Sequence, residues 1–298
     1  MSSYQASPSA WQQFWQSKRN RNRIVIAAKL LFAVVTLSIT LLPIAYTISS
    51  AFNPTGSLSA TSLIPQNPTL DNFRTILASD FWLWMRNSVI VAASASILSG
   101  LLTTLTAYSF SRFRFRGRNE MLLGLLIVQV FPALLTMVAL FSLLQQLGQY
   151  IPLVGLNQLG GLVLLYMGGA LGINVWLMKG FFDSLPRALD ESAKIDGATD
   201  WQIFWRILFP LIRPIVTVVM ILTFFGTFGD WLLPRLMIQD QQYFTLMLGL
   251  QQFISASYGN NWGAFAAGAV LGSIPQVTIF IILQEQIVGG LTTGSVKG

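Results

Sequence analysis

The sequence predicts an all-α membrane protein with six transmembrane helices. Three observations predict it: the composition, six apolar stretches of spanning length, and basic residues gathered on one side of those stretches. Of the 298 residues, 53% are hydrophobic and only 10% charged, against roughly 25% charged in a soluble domain. Mean hydropathy is +0.61. So few charges cannot cover a water-facing surface, which excludes a soluble globular enzyme. Crossing roughly 30 Å of hydrocarbon takes about 20 mostly apolar residues as helix, and an open sheet could not satisfy its backbone polar groups there.

The spans follow in order. The first covers residues 24–50, and residues 1–23 form a segment before it. There Trp11, Phe14 and Trp15 precede a basic run, which suits either an interfacial helix on the inner leaflet or an unstructured tail. The first span is too long for a cleavable signal peptide and lacks a small-residue cleavage site before Pro43. Residues 51–86, with Pro54, Pro65 and Pro68, predict an irregular outer loop. Span two covers 87–110 and span three 121–147. The uncharged segment 148–159 leads to span four, 160–179. Span five covers 214–236, a polar loop covers 239–262, and span six covers 263–288, leaving 289–298 as a tail. The transmembrane domain is thus 24–288.

The charge distribution orients the chain. Fifteen of the 18 Lys and Arg residues fall before or just inside span one, between spans two and three, from the end of span four to span five, or after span six. Only Arg74, Arg86 and Arg235 fall on the other side. Six spans with both termini cytoplasmic fit the positive-inside rule without exception. This explains the net charge of +7 without invoking nucleic acid. The chain has no histidine and no cysteine, which removes the usual zinc sites, Cys nucleophiles, Ser–His–Asp triads and disulfides.

Residues 180–213 hold about a third of the charged side chains in a stretch with no spanning pattern. A short helix is expected after Pro186, a residue suited to a first turn. Leu189, Ala193 and Ile195 supply its apolar side, and Gly197 its end. A second amphipathic helix follows, capped by Thr199 or Asp200. Trp201, Phe204, Trp205 and Leu208 recur in it at helical spacing, and Pro210 and Pro214 mark the entry to span five. Two short crossed helices at a membrane face make a knob suited to a partner's groove.

Glu191-Ser192-Ala193, then Gly197, then Ile207 and Phe209-Pro210 resemble the EAA loop of ABC-importer permeases, whose usual pattern is Glu-Ala-Ala, Gly, Ile-x-Leu-Pro. The departures at Ser192 and Phe209 keep a small and an apolar residue. Within that family the chain is similar to the MalG-type permeases of maltose systems. The similarity rests on Gln129 to Leu135, Tyr150-Ile151-Pro152, Gly155-Leu156-Asn157, Gly249 to Phe253 and the tail from Gly290. It spans nearly the whole chain after about residue 25.

The resemblance implies a type I ABC importer permease fold with cytoplasmic EAA coupling helices, in a bacterial inner membrane. It implies four kinds of partner: a MalF-like second permease, two MalK-like ATP-binding subunits, an extracytoplasmic solute-binding protein and the lipid bilayer. This chain would bind no cofactor, and ATP-Mg would be used by the ATPase subunits. Coupling to the ATPase would fall to Asp190, Glu191, Ser192, Ala193, Asp196, Gly197, Trp201, Phe204, Ile207 and Pro210. Glu191 would pair with a basic residue of the ATPase or else lie on a solvated helix face. Trp201 and Phe204 would pack in the ATPase groove or else on this chain's own spans. The tail Gly294, Ser295, Val296, Lys297 and Gly298 would reach the ATPase interface. Ser255, Ala256, Ser257 and Tyr258 would meet the binding protein, unless that stretch is a plain connecting loop.

Within the spans, Asp230 is an ionisable group and a functional candidate by default. It would line a pathway or pair with Arg235 one turn on. Gln129 and Asn174 would line the pathway or bond across helices. Gly168, Gly169 and Gly172 point to close helix packing. The solute implied is a sugar or glycoside of the maltose, maltodextrin or trehalose class, with a compatible solute such as glucosylglycerol as the alternative. A secondary transporter would need more intramembrane charge than Asp230 and leaves the knob unexplained. A membrane-embedded enzyme has almost no chemistry to work with.

Overall fold

The computed structural model describes residues 18–54, 64, 65, 67–255 and 260–293. Within them the chain is helical; five helices are long and apolar enough to cross a membrane, and a bent helix pair makes a sixth if it is counted as one span. Helix α1 (Lys18–Ala51) is the first. Leu30, Phe32 and Ile39 stand exposed along it, as side chains facing lipid or another membrane helix do. Its C-terminal carbonyls need donors: the Phe52 and Asn53 N–H groups serve Ser49 and Ser50, and Asn72 Nδ2 donates to the Ala51 carbonyl at 3.1 Å and to that of Asn53, just beyond the helix, at 2.8 Å. Asn72 belongs to a short helix, α2 (Asp71–Leu77). The stretch expected to be irregular therefore contains α2 and the first turns of α3 (Phe81–Arg112).

Helix α3 is the centre of the fold and packs against both α6 (Leu159–Ser184) and α9 (Phe209–Gly229). Its buried face carries Ser96, Ser99, Gly100, Thr103, Thr104 and Ala107. Small side chains let membrane helices approach closely, where packing rather than water exclusion drives association. A Cβ on Gly100 would lie 2.6 Å from Met220 Cγ on α9. Thr104 returns its hydroxyl to the Gly100 carbonyl at 2.7 Å, so its burial leaves no donor unpaired.

The stretch 121–147 is not one straight span. Helix α4 (Arg118–Val130) and helix α5 (Ala133–Tyr150) meet at a bend of 107°. Pro132 causes it: the residue before a proline is pushed out of helical conformation, and Phe131 is extended, with ψ 131°. Span five also ends earlier than expected. Asp230 is extended, and its Oδ1 accepts the Leu232 N–H at 2.9 Å, opening a separate short helix, α10 (Leu232–Met237). Span six is jointed at Ser273 into α12 (Trp262–Gly272) and α13 (Ile274–Thr293), after the short α11 (Leu246–Gln251). Side chains on α3 tie down the segment before α11. Asn87 donates to the Gln242 and Phe244 carbonyls, and Ser88 Oγ accepts the Leu246 N–H at 2.7 Å.

Between α6 and α9 lie α7 (Ala188–Ile195) and α8 (Asp200–Ile203). The second helix of the expected knob is not separate. It runs from α8 through one π turn, Phe204–Leu208, straight into α9. Pro210 lacks an N–H and its ring crowds the carbonyl four residues back. The π turn opens that stretch, and the Phe209 N–H bonds to the Phe204 carbonyl five residues back.

Candidate functional site

The candidate site is α7 with the start of α8. Asp190 and Glu191 occupy the first turn of α7 and Lys194 the last, the placement that the helix dipole favours. Pro186 lies just outside the helix, before the cap residue Arg187. The helix stops at Gly197, whose φ is +81°. The Ala198 N–H reaches the Ala193 carbonyl at 2.9 Å and the Gly197 N–H the Lys194 carbonyl at 3.1 Å. That is the paired closure that a left-handed residue makes possible. Two residues on, Thr199 caps α8. Its hydroxyl accepts the Gln202 N–H at 3.3 Å, while the Gln202 side chain accepts the Thr199 N–H at 2.9 Å. Both ends of the sharp turn are thus satisfied by local chemistry.

The knob rests on an aromatic base. Phe204 is fully buried, with its ring 5.0 Å from Tyr108 and 6.5 Å from Phe182. Tyr108 Oη donates to the Asp200 carbonyl at 3.2 Å. Arg112, at the end of α3, brings Nε within 3.1 Å of Asp190 Oδ2, with side-chain exposures of only 8% and 14%. This is a contact ion pair without an aligned hydrogen bond between those two atoms. The same guanidinium donates from Nη2 to the Leu185 carbonyl at 3.2 Å. Beside it, Ser111 Oγ and Lys179 Nζ both reach Asp183, at 2.6 and 2.5 Å. The cytoplasmic ends expected for α3 and α6 are therefore fastened to one another and to the knob. Lys194 and Asp200 pair at 3.0 Å on the exposed rim, where such a pair contributes at most about 1 kcal/mol.

This packing sorts the expected coupling residues. Asp190, Ala193 and Phe204 face inward, so Phe204 packs on this chain's own helices. Glu191, Ser192, Asp196 and Gly197 are exposed. Ile195 is 87% and Trp201 61% exposed, two large apolar groups left uncovered on α7 and α8, with Ile195 one turn after Glu191. Ile207 is half-buried in the π turn, and Pro210 is exposed just beyond it. Arg112, Tyr108 and Phe182 belong to the site although sequence reading did not select them. Arg112 showed only as one of a basic run, and its partner lies 78 positions away.

The remaining candidates separate. Gln129 Nε2 donates to the Gly169 carbonyl at 3.5 Å, and its side chain fills the space that a Cβ on Gly172 would take. Asn174 is half-buried on α6. Gly168 and Gly169 have nothing within 4 Å of a built Cβ, so they do not mark a close helix contact within this chain. Asp230 turns to Tyr166, whose hydroxyl donates at 2.8 Å, and to the Leu232 N–H, rather than to Arg235. Ser255 closes a turn with Gln252. Ala256, Ser257 and Tyr258 lie outside the described residues, as do the N-terminal segment to residue 17 and the tail Gly294, Ser295, Val296, Lys297 and Gly298.

Residues 96–292 match the family described as binding-protein-dependent transport system inner membrane component. The chain is 41% identical over 280 residues to the maltose/maltodextrin transport system permease protein MalG of Vibrio parahaemolyticus, covering 88% of this chain and 92% of that one. It is 40% identical over 278 residues to the galactooligosaccharides transport system permease protein GanQ of Bacillus subtilis, covering 91% and 96%. A chain from the crystal structure of a bacterial ABC transporter involved in the import of the acidic polysaccharide alginate superimposes with a TM-score of 0.73. It has 21% identity and covers 91% of this chain and 98% of that one, a likeness of fold. Together with the helical architecture, these matches place the chain in the family of binding-protein-dependent transport system inner membrane components, as a MalG-like, multi-pass inner-membrane permease subunit of an ABC importer and not its catalytic subunit.

Proposed function

We propose that the chain is the permease of an importer for maltose, maltodextrins or a related neutral oligosaccharide, and that α7 with the start of α8 is its grip on an ATPase subunit. The solute class is supported by the identity to MalG and GanQ across nearly their whole lengths. The grip is supported by one observation above the others: a closed turn at Gly197 leaves Ile195 and Trp201 exposed on either side of it, with the exposed Glu191 on the same helix as Ile195. Large apolar groups on a water-facing knob are covered in an assembly. Both termini and the knob then lie on the cytoplasmic side, where the basic residues lie. A second permease, two ATP-binding subunits and an extracytoplasmic solute-binding protein complete the machine.

The mechanics follow from the fastening. ATP-driven closure cannot reach helices inside the bilayer directly. A push on α7 passes through the Arg112–Asp190 contact to α3, and through Phe204 to α6 and α9. Packed helices answer as rigid bodies. The test is purification of the tagged chain from its own membrane. A nucleotide-binding subunit should co-purify, and Glu191→Ala with Ile195→Asp should release it while the chain stays inserted. Retention of the ATPase by that double variant would remove the grip from α7.

A further inference from the structure

A cavity of about 350 Å³ lies between α5, α6 and α9, away from the coupling loop and within the size range of small-molecule sites. Its polar groups are Asp230, Tyr166 and the hydroxyls of Thr136, Thr223 and Thr227, and no cation lines it. Gly169 and Gly226 also line it, and a Cβ at either would meet nothing within 4 Å. The open volume is therefore kept by two helix faces without side chains. Asp230 is half-buried at the edge of this space. One bond to each carboxylate oxygen is described, from the Leu232 N–H and from Tyr166 Oη. A carboxylate accepts about four hydrogen bonds, so each oxygen keeps acceptor capacity toward the cavity.

We propose that this cavity is a contact site on this chain for an uncharged, hydroxyl-rich solute, with Asp230 receiving a vicinal diol and Tyr166 fixing the carboxylate. The inference rests on the importer reading above. Absence of a cation disfavours an anionic solute, and hydroxyl groups around one carboxylate suit sugar O–H donors. Asp230 follows the last residue of α9 and Tyr166 lies in the first third of α6. On the orientation proposed above, the site lies toward the side from which solute is delivered.

The complete transporter in proteoliposomes, supplied with its binding protein, tests this with radiolabelled maltose and maltotriose, ATP hydrolysis being followed in parallel. Gly226→Leu fills the cavity and leaves every described hydrogen bond in place. It should shift the uptake ratio about tenfold or more toward maltose, the range that pocket volume alone achieves. Asp230→Asn keeps an oxygen for the Leu232 N–H but removes the charged acceptor, and should lower solute moved per ATP about tenfold. If Asp230→Asn fails to assemble, Gly226→Leu and the facing Gly169→Leu decide by the sugar ratio alone. Unchanged ratio and unchanged uptake per ATP in the assembled variants would reduce Asp230 to the cap of α10 and overturn the site. Failure of the unsubstituted complex to take up maltose, maltotriose or a galactooligosaccharide would overturn the sugar-importer reading, and the site with it.

Discussion

Gly197 shows how one residue sets the direction of the chain. A Cβ there would touch nothing, so any penalty comes from the backbone at φ +81°, about 1–2 kcal/mol for a residue with a side chain. Gly197→Ala should therefore leave the complex assembled, with a melting midpoint within a few degrees, yet lower uptake per ATP severalfold by misaiming α8. Normal uptake in that variant would show that the angle of the turn is not critical. Arg112 and Asp190 illustrate the opposite case. They are nearly buried in contact, and removing one partner of such a pair costs about 3–5 kcal/mol by stranding the other charge. Arg112→Met alone should thus lower the thermal stability of the purified complex more than Arg112→Met with Asp190→Leu. Equal losses in a double-mutant cycle would deny the contact. Gly197 and Thr199 were legible in sequence because caps act within six residues. The Arg112 contact was not, since no local pattern selects one arginine from a basic run.

At the scale of elements, the approximate position of each helix followed from hydropathy, but its ends and its continuity did not. Pro132 splits the stretch expected as the third span at Phe131, and the sequence showed the Phe-Pro pair without showing whether neighbours would hold the halves in line. The π turn at Phe204–Leu208 has the same origin in Pro210, with the opposite result, because there the helix absorbs the proline and runs on. Phe204 consequently points into the chain's own core instead of into a partner's groove. The close approach of α3 and α9 is a property of the pair. Gly100→Leu would force Met220 aside, and overpacking typically costs about 1–3 kcal/mol. It should lower the melting midpoint in detergent, whereas Gly124→Leu, where a Cβ meets nothing, should leave it unchanged. Equal effects would mean that α3 and α9 are not in contact at Gly100.

At the scale of the whole molecule, orientation is the claim on which coupling depends. The chain has no cysteine, so single cysteines report sidedness without background. Ile195→Cys should react with a membrane-impermeant thiol reagent only when the cytoplasmic face is open, and to a lesser extent once the ATPase is bound. Gln241→Cys should react from the outside. Labelling of Ile195→Cys from outside in intact cells would invert the topology and end the coupling mechanism. Asp230 belongs to this scale too. Its partner Tyr166 is 64 positions away, and of the two alternatives for Asp230 the pairing with Arg235 is not formed: the chain leaves the helix at Gly229, and the carboxylate turns to Tyr166 and the Leu232 N–H.

The sequence by itself determined what depends on near neighbours and on solvent. Apolar length decides that the chain crosses a bilayer, one-sided charge predicts which way, and glycine and threonine at close spacing decide where the knob turns. Only the tertiary structure decided which side chains of that knob face water. It also decided which arginine clamps it, where proline breaks a crossing rather than bending into it, and that two glycine faces leave room beside Asp230. The physical reason is range. Hydropathy and capping act over one or two turns and can be read along the chain, whereas an ion pair, a close helix contact or a cavity exists only where distant segments meet.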